Sequence, residues 1–218
     1  MRRLVGFVLF ALVAAGCGSD SADVPVQQDV TAAECIVRLH GKGGDGAATE
    51  FAGSVAIVSP RGNGEAWGGH QWEYATADAL ADAVTLVTDE LNPVGCGAIA
   101  VHGFSNGASF AAKLACSGED FAGRLRGVVV DDPVTDLSSA DCALAAGVEL
   151  TLYWTDALTA TAPAGTDCGR IDWTCEGGST IGIDAYAAAL GTAIQASPHE
   201  DHRWFLDAPE PWAWLIHE

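Results

Sequence analysis

The chain has 218 residues, 49% of them hydrophobic and 18% charged, which suits one compact domain with a substantial core and excludes a disordered protein. Its formal net charge of −19 makes nucleic acid and anionic lipid head groups poor partners, and a solvated acidic surface of this kind suits a monomer.

In chain order, Met1-Arg2-Arg3 followed by the apolar run Leu4 to Ala15 predicts the charged and apolar parts of an export signal, the run being too short to span a bilayer. Ala14-Ala15-Gly16-Cys17 resembles a bacterial lipobox, which implies removal of residues 1–16 and lipidation of Cys17. Ala14 stands where Leu or Val is usual, so a plain signal-peptidase cut stays open. Residues 17–33 are polar and predict a flexible tether, with the folded domain over 34–218. The only membrane attachment expected is the lipid anchor at Cys17, and the protein is expected in the cell envelope or secreted.

An exported chain with six further cysteines favours three disulfides, and chain order suggests Cys35–Cys96, Cys116–Cys142 and Cys168–Cys175. A zinc site is the rival use, but no pair has the Cys-x-x-Cys spacing.

Runs rich in β-branched and apolar residues predict strands at Cys35–Leu39, Ser54–Ser59, Ala98–His102, Gly127–Val130, Glu149–Trp154 and Thr192–Ser197. Helical composition and period predict helices at Ala77–Leu91, Gly107–Cys116 and Ile181–Leu190. The alternation is that of an α/β protein, a mostly parallel central sheet flanked by helices, whose ligand sites gather in loops at the strand ends.

Between the third strand and the second helix stands Gly103-Phe104-Ser105-Asn106-Gly107. Strand, Gly-x-Ser-x-Gly and helix in succession form a nucleophile elbow, where small flanking residues let a serine sit in a strained turn with its hydroxyl exposed. Ser105 is therefore the candidate nucleophile.

Upstream, the first strand runs into His40-Gly41-Lys42-Gly43-Gly44. Elbow and His-Gly-x-Gly loop together resemble the α/β-hydrolase serine esterases, particularly the polyhydroxybutyrate depolymerase, feruloyl esterase and carboxylesterase groups. That resemblance implies an α/β-hydrolase fold and an oxyanion hole built from the backbone N–H groups of Lys42 and Asn106. A phosphate-binding loop is the competing reading of the glycines, but the Gly-Lys-Ser/Thr ending is missing.

The fold's order of Ser, then acid, then His leaves His199, His202 and His217 as candidate bases. The resembling families carry His-x-Trp in the last loop, which His202-Arg203-Trp204 matches and which implies His202 as base, with His199 as the alternative. A His-x-x-His metal pair would need a third ligand. For the acid, Asp156 follows Glu149–Trp154 directly and is the first choice, with Asp131 or Asp132 second and Asp167 or Asp172 third. Trp67, Trp72 and Tyr74, in and beside a Gly-rich loop, read either as pocket wall or as core.

These readings converge on an exported serine hydrolase that cleaves carboxylic esters, small or polymeric, through an acyl-enzyme on Ser105, with no cofactor and no metal. The short stretch between Gly127–Val130 and Glu149–Trp154 predicts a small or absent lid. A non-catalytic binding lipoprotein of the same fold, and a peptidase or thioesterase using the same triad, are the alternatives.

Overall fold

The structure is a computed structural model and describes residues 34–155, 180–197 and 202. Residues 1–33 with Cys17, and Asp156, Asp167, Asp172, Cys168, Cys175, His199 and His217, lie outside the described residues.

The elements in chain order are β1 Glu34–Leu39, β2 Ala47–Ala52, β3 Val55–Ser59, β4 Gly64–Ala66, β5 Gly69–Gln71, helix α1 Ala77–Leu91, β6 Ala98–Phe104, helix α2 Asn106–Cys116, β7 Leu125–Asp131, β8 Glu149–Trp154, helix α3 Ile183–Leu190 and β9 Ile194–Ala196. Seven strands form one sheet in the order β2-β3-β1-β6-β7-β8-β9, and β4 with β5 forms a separate hairpin. Every pairing in the large sheet is parallel except β2 with β3.

Strand registry places Val37 beside Val101 and Val101 beside Val128, so alternate residues of β1, β6 and β7 share one face. That face packs with Ala83, Val87 and Leu91 of α1, Phe110 and Leu114 of α2, and Tyr186 and Leu190 of α3 in one core. Each buried Val, Leu or Phe among them contributes about 1.5–3 kcal/mol relative to exposure, which is what holds helices of modest amphipathicity on the sheet. Helix α1 starts where Thr76 accepts the Ala79 N–H, a cap of about 1 kcal/mol. Gly191, at φ 69°, ends α3 in the left-handed conformation that glycine adopts without strain.

The opposite face carries a buried polar line. His102 sits beside Arg38 in the β1–β6 register, with its Nε2 3.4 Å from Asp131 Oδ2. Burial, and then the Arg38 guanidinium, lower the His102 pKa from 6.5 to about 3, so its contact with Asp131 is a hydrogen bond of a neutral ring and not an ion pair.

Two of the expected disulfides, Cys35–Cys96 and Cys116–Cys142, are formed. The three helices and six predicted strands are present, Ala77–Leu91 and Glu149–Trp154 with the bounds expected and the others with shifted ends, the last strand shortening to Ile194–Ala196. Two features depart from the sequence reading. Strand β2 was not expected, because its exposed residues on an antiparallel edge show no apolar alternation. The segment after β3, expected as a loop, holds the β4–β5 hairpin, whose pairing is made by backbone and not by apolar side chains.

Candidate active site

Strand β6 ends at Phe104 and α2 begins at Asn106, so Ser105 alone makes the turn, at φ 54° and ψ −118°. That left-handed backbone is strained for any residue but glycine, and the structure locks it. The Ser105 N–H donates to Asp131 O at 2.9 Å, and Ser105 O accepts from Ala108 N–H at 3.0 Å. A β-carbon on Gly103 would run into Gly107 O, and one on Gly107 into Leu39 O, which is why the elbow needs both glycines.

His202 Nε2 lies 3.0 Å from Ser105 Oγ, and its Nδ1 lies 3.4 Å from Asp132 Oδ2. The second distance is long for a hydrogen bond. Asp132 is itself held on both oxygens: Thr155 N–H donates to Oδ1 at 2.6 Å and Thr155 Oγ1–H to Oδ2 at 2.7 Å. Its backbone, at φ 49°, leaves the end of β7 in a left-handed turn that aims the side chain at His202. The carboxylate is buried, while the imidazole is one-third exposed.

Of the sequence candidates, Ser105 and His202 thus meet. The carboxylate that meets them is Asp132, the second-choice position, whereas the first choice, Asp156, lies outside the described residues. Asp131, the neighbour of Asp132, faces His102 with its side chain and holds Ser105 with its backbone.

Lys42 and Asn106 both line the cavity of about 180 Å³ that contains Ser105 and His202, together with Phe104, Val134 and Trp67. Asn106 opens α2, where the first backbone N–H groups have no partner within the helix and carry the positive end of its dipole.

Two supports of this loop pair were not anticipated from sequence. The buried His40 accepts Gly62 N–H on Nε2 at 3.0 Å, which puts its proton on Nδ1, where it donates to Gly41 O at 2.8 Å. Burial holds the His40 pKa below its ordinary value, keeping the ring in the neutral form that this arrangement needs. The Asn106 side chain accepts Trp72 N–H at 2.7 Å and donates to Trp72 O at 3.2 Å, while Trp72 Nε1–H donates to His40 O at 3.1 Å. The elbow and the His40–Gly44 loop are therefore tied through one tryptophan. Trp72 and Tyr74 are core residues, at 1% and 4% exposure, whereas Trp67 is 62% exposed and stands at the cavity.

Among the described residues, no group of three His, Cys, Asp or Glu side chains is arranged to hold a metal ion, and no helix is long and apolar enough to cross a membrane.

No family model matches the chain, and no curated protein matches it. Among solved structures it is similar to a carboxylesterase of Bacillus cereus, at 19% identity and a TM-score of 0.49, over 81% of this chain and 84% of that one. It is also similar to an esterase of Pyrococcus furiosus, at 12% identity and a TM-score of 0.50, over 84% of this chain and 81% of that one. A third similar structure is an α/β hydrolase of Vibrio vulnificus, at 16% identity and a TM-score of 0.42, over 76% of this chain and 66% of that one. Identities this low speak to fold alone. The sheet order, the elbow between β6 and α2, and the likeness to the Pyrococcus furiosus esterase give the chain the α/β-hydrolase fold.

Proposed function

We infer that the protein is an exported serine hydrolase acting on carboxylic esters, with Ser105 as nucleophile, His202 as general base and Asp132 as the orienting acid. The single observation that carries this is the run of contacts from Ser105 Oγ to His202 Nε2 and from His202 Nδ1 to Asp132. A strained serine, a base within reach and a buried carboxylate behind it are the parts that acyl transfer needs.

In the proposed reaction Ser105 Oγ attacks the ester carbonyl carbon as His202 Nε2 takes its proton. Asp132 keeps the imidazole proton on Nδ1 and offsets the charge that forms. The carbonyl oxygen becomes negative and is held by the backbone N–H groups of Lys42 and Asn106, a type of contact worth about 2.7–4 kcal/mol per donor. The C–O bond to the alcohol then breaks, and His202 returns the proton to the leaving oxygen. Water, deprotonated by His202, attacks the acyl-enzyme and releases the carboxylic acid and free Ser105. No cofactor enters this sequence.

Export is part of the same reading. Both described disulfides suit an oxidising compartment, and a lipid on Cys17 would place the domain at a membrane surface.

The test is labelling of the mature protein with a fluorophosphonate probe, followed by peptide mass spectrometry and assay on acetyl and butyryl esters, a thioester and a peptide. One adduct per chain on Ser105, lost in His202→Ala, with turnover of the oxygen esters, is the expected result. A folded protein that takes no adduct overturns the reading.

A further inference from the structure

The proposed reaction gives Trp67 no part, and the fold gives it none either. Trp67 and Gly68 are the two central residues of the β4–β5 hairpin, at φ 50° and 82°, so both are left-handed, as in a type I′ turn. Asparagine followed by glycine fits such a turn with little strain, whereas a tryptophan there is a backbone outlier. Burial does not offset that strain, because the side chain is 62% exposed.

The indole is nevertheless held in place. It packs on Gly43, where an added β-carbon would come within 3.3 Å of Cε3, and the Lys42 ammonium stands 4.6 Å from the ring centroid. The hairpin beneath it is bonded to the same loop, Gly43 N–H to His70 O at 2.8 Å and His70 N–H to Gly44 O at 2.7 Å. Trp67 is thus a fixed wall between two hollows. One is the 180 Å³ cavity with Ser105 and His202, and the other is a more open concavity of about 430 Å³ formed by Glu65 to His70.

A reacting ester placed in the small cavity has room there for a short group only, since ligand pockets for larger molecules run to about 300–1,000 Å³. Trp67 lines both hollows, so a substrate that outgrows the small cavity can continue past it. We propose that Trp67 is a specificity-determining residue that selects esters bearing an aromatic ring on the part outside the small cavity, the ring lying against the indole; this rests on the serine-esterase reading above. The flat indole, fixed before substrate arrives, supplies stacking at little ordering cost.

The experiment compares a naphthyl ester with the ethyl ester of the same short acid, in the wild type, Trp67→Gly and Trp67→Phe. Glycine adopts this backbone without strain, so Trp67→Gly is expected to fold, which its melting temperature checks. The ratio of kcat/KM for naphthyl over ethyl ester is expected to fall about tenfold in Trp67→Gly, through KM, and to recover largely in Trp67→Phe. An unchanged ratio overturns the proposal, as does an equal loss on both esters.

Should the wild type turn over neither ester, naphthyl ester binding is measured by calorimetry on Ser105→Ala with and without Trp67→Gly. Weaker binding without Trp67 then leaves its role standing and removes the esterase reading alone. Equal binding removes the role of Trp67.

Discussion

Asn106 and Trp72 hold each other by two opposed hydrogen bonds, the asparagine side chain accepting the tryptophan N–H and donating to its carbonyl. Asn106 also directly follows Ser105, and Trp72 is bonded through its indole to His40 O. Replacing Asn106 by alanine strands a buried N–H and C=O, at a cost of about 1–3 kcal/mol. A lower melting temperature and a fall in kcat exceeding the change in KM are expected, because both sides of the proposed oxyanion hole lose their common support. A normal kcat in a destabilised Asn106→Ala protein would show that the link serves folding only.

Asp132→Asn should lower kcat by about 10⁴, since an amide can orient the imidazole in the wrong tautomer while filling the same space. The comparison is Asp156→Asn, the acid favoured by sequence, which should keep activity near wild type. Reversal of the two results in a side-by-side ester assay would move the acid role to Asp156.

Stability should fall with acid because His102 is buried neutral. Its folded pKa of about 3 lies below its ordinary 6.5, so between those values the unfolded chain binds a proton that the folded chain refuses. The stabilisation is fully present above pH 6.5 and is lost as pH falls toward 3, with a slope of about 1.4 kcal/mol per pH unit from this group. His40, also lowered by burial, acts in the same direction. Urea midpoints measured from pH 7 down to about 4.5 should decline more steeply in the wild type than in His102→Gln, whatever the variant's starting stability.

Reduction should destabilise the domain before it touches the chemistry. The Cys35–Cys96 bridge spans a sequence separation of 61 residues and joins the start of β1 to the segment entering β6. Closing a loop of that length restricts the unfolded chain by about 4 kcal/mol. Melting with and without reductant should show a fall of several degrees or more, and an unchanged melting temperature would mean that the bridge restrains a segment already ordered.

The elbow was legible in sequence because its requirements are local: two glycines, a serine, a strand before and a helix after. The pattern that marks Ser105 lies within two residues of it on either side. The acid is set otherwise, since aspartates follow both β7 and β8, and which one reaches His202 depends on how far each strand runs and on the left-handed turn at Asp132. No local pattern announces that turn. The β4–β5 hairpin was missed for a related reason, since its glycines make room for close backbone contact instead of advertising a buried face. Gly69, for example, lies so near Gly43 O that no β-carbon fits. Trp67 and Trp72, five residues apart and alike on paper, separate into rim and core once that hairpin is folded.

The end of β7 does two jobs with consecutive residues, Asp131 holding the serine's backbone and Asp132 facing the imidazole. Ser105 and His202 are therefore indexed to one another by the length of a single strand. Gaining or losing one residue at this junction would turn the carboxylate to the other side of the sheet and slide the carbonyl away from Ser105 at the same stroke. Among loops that otherwise accept changes in length, this one is a ruler.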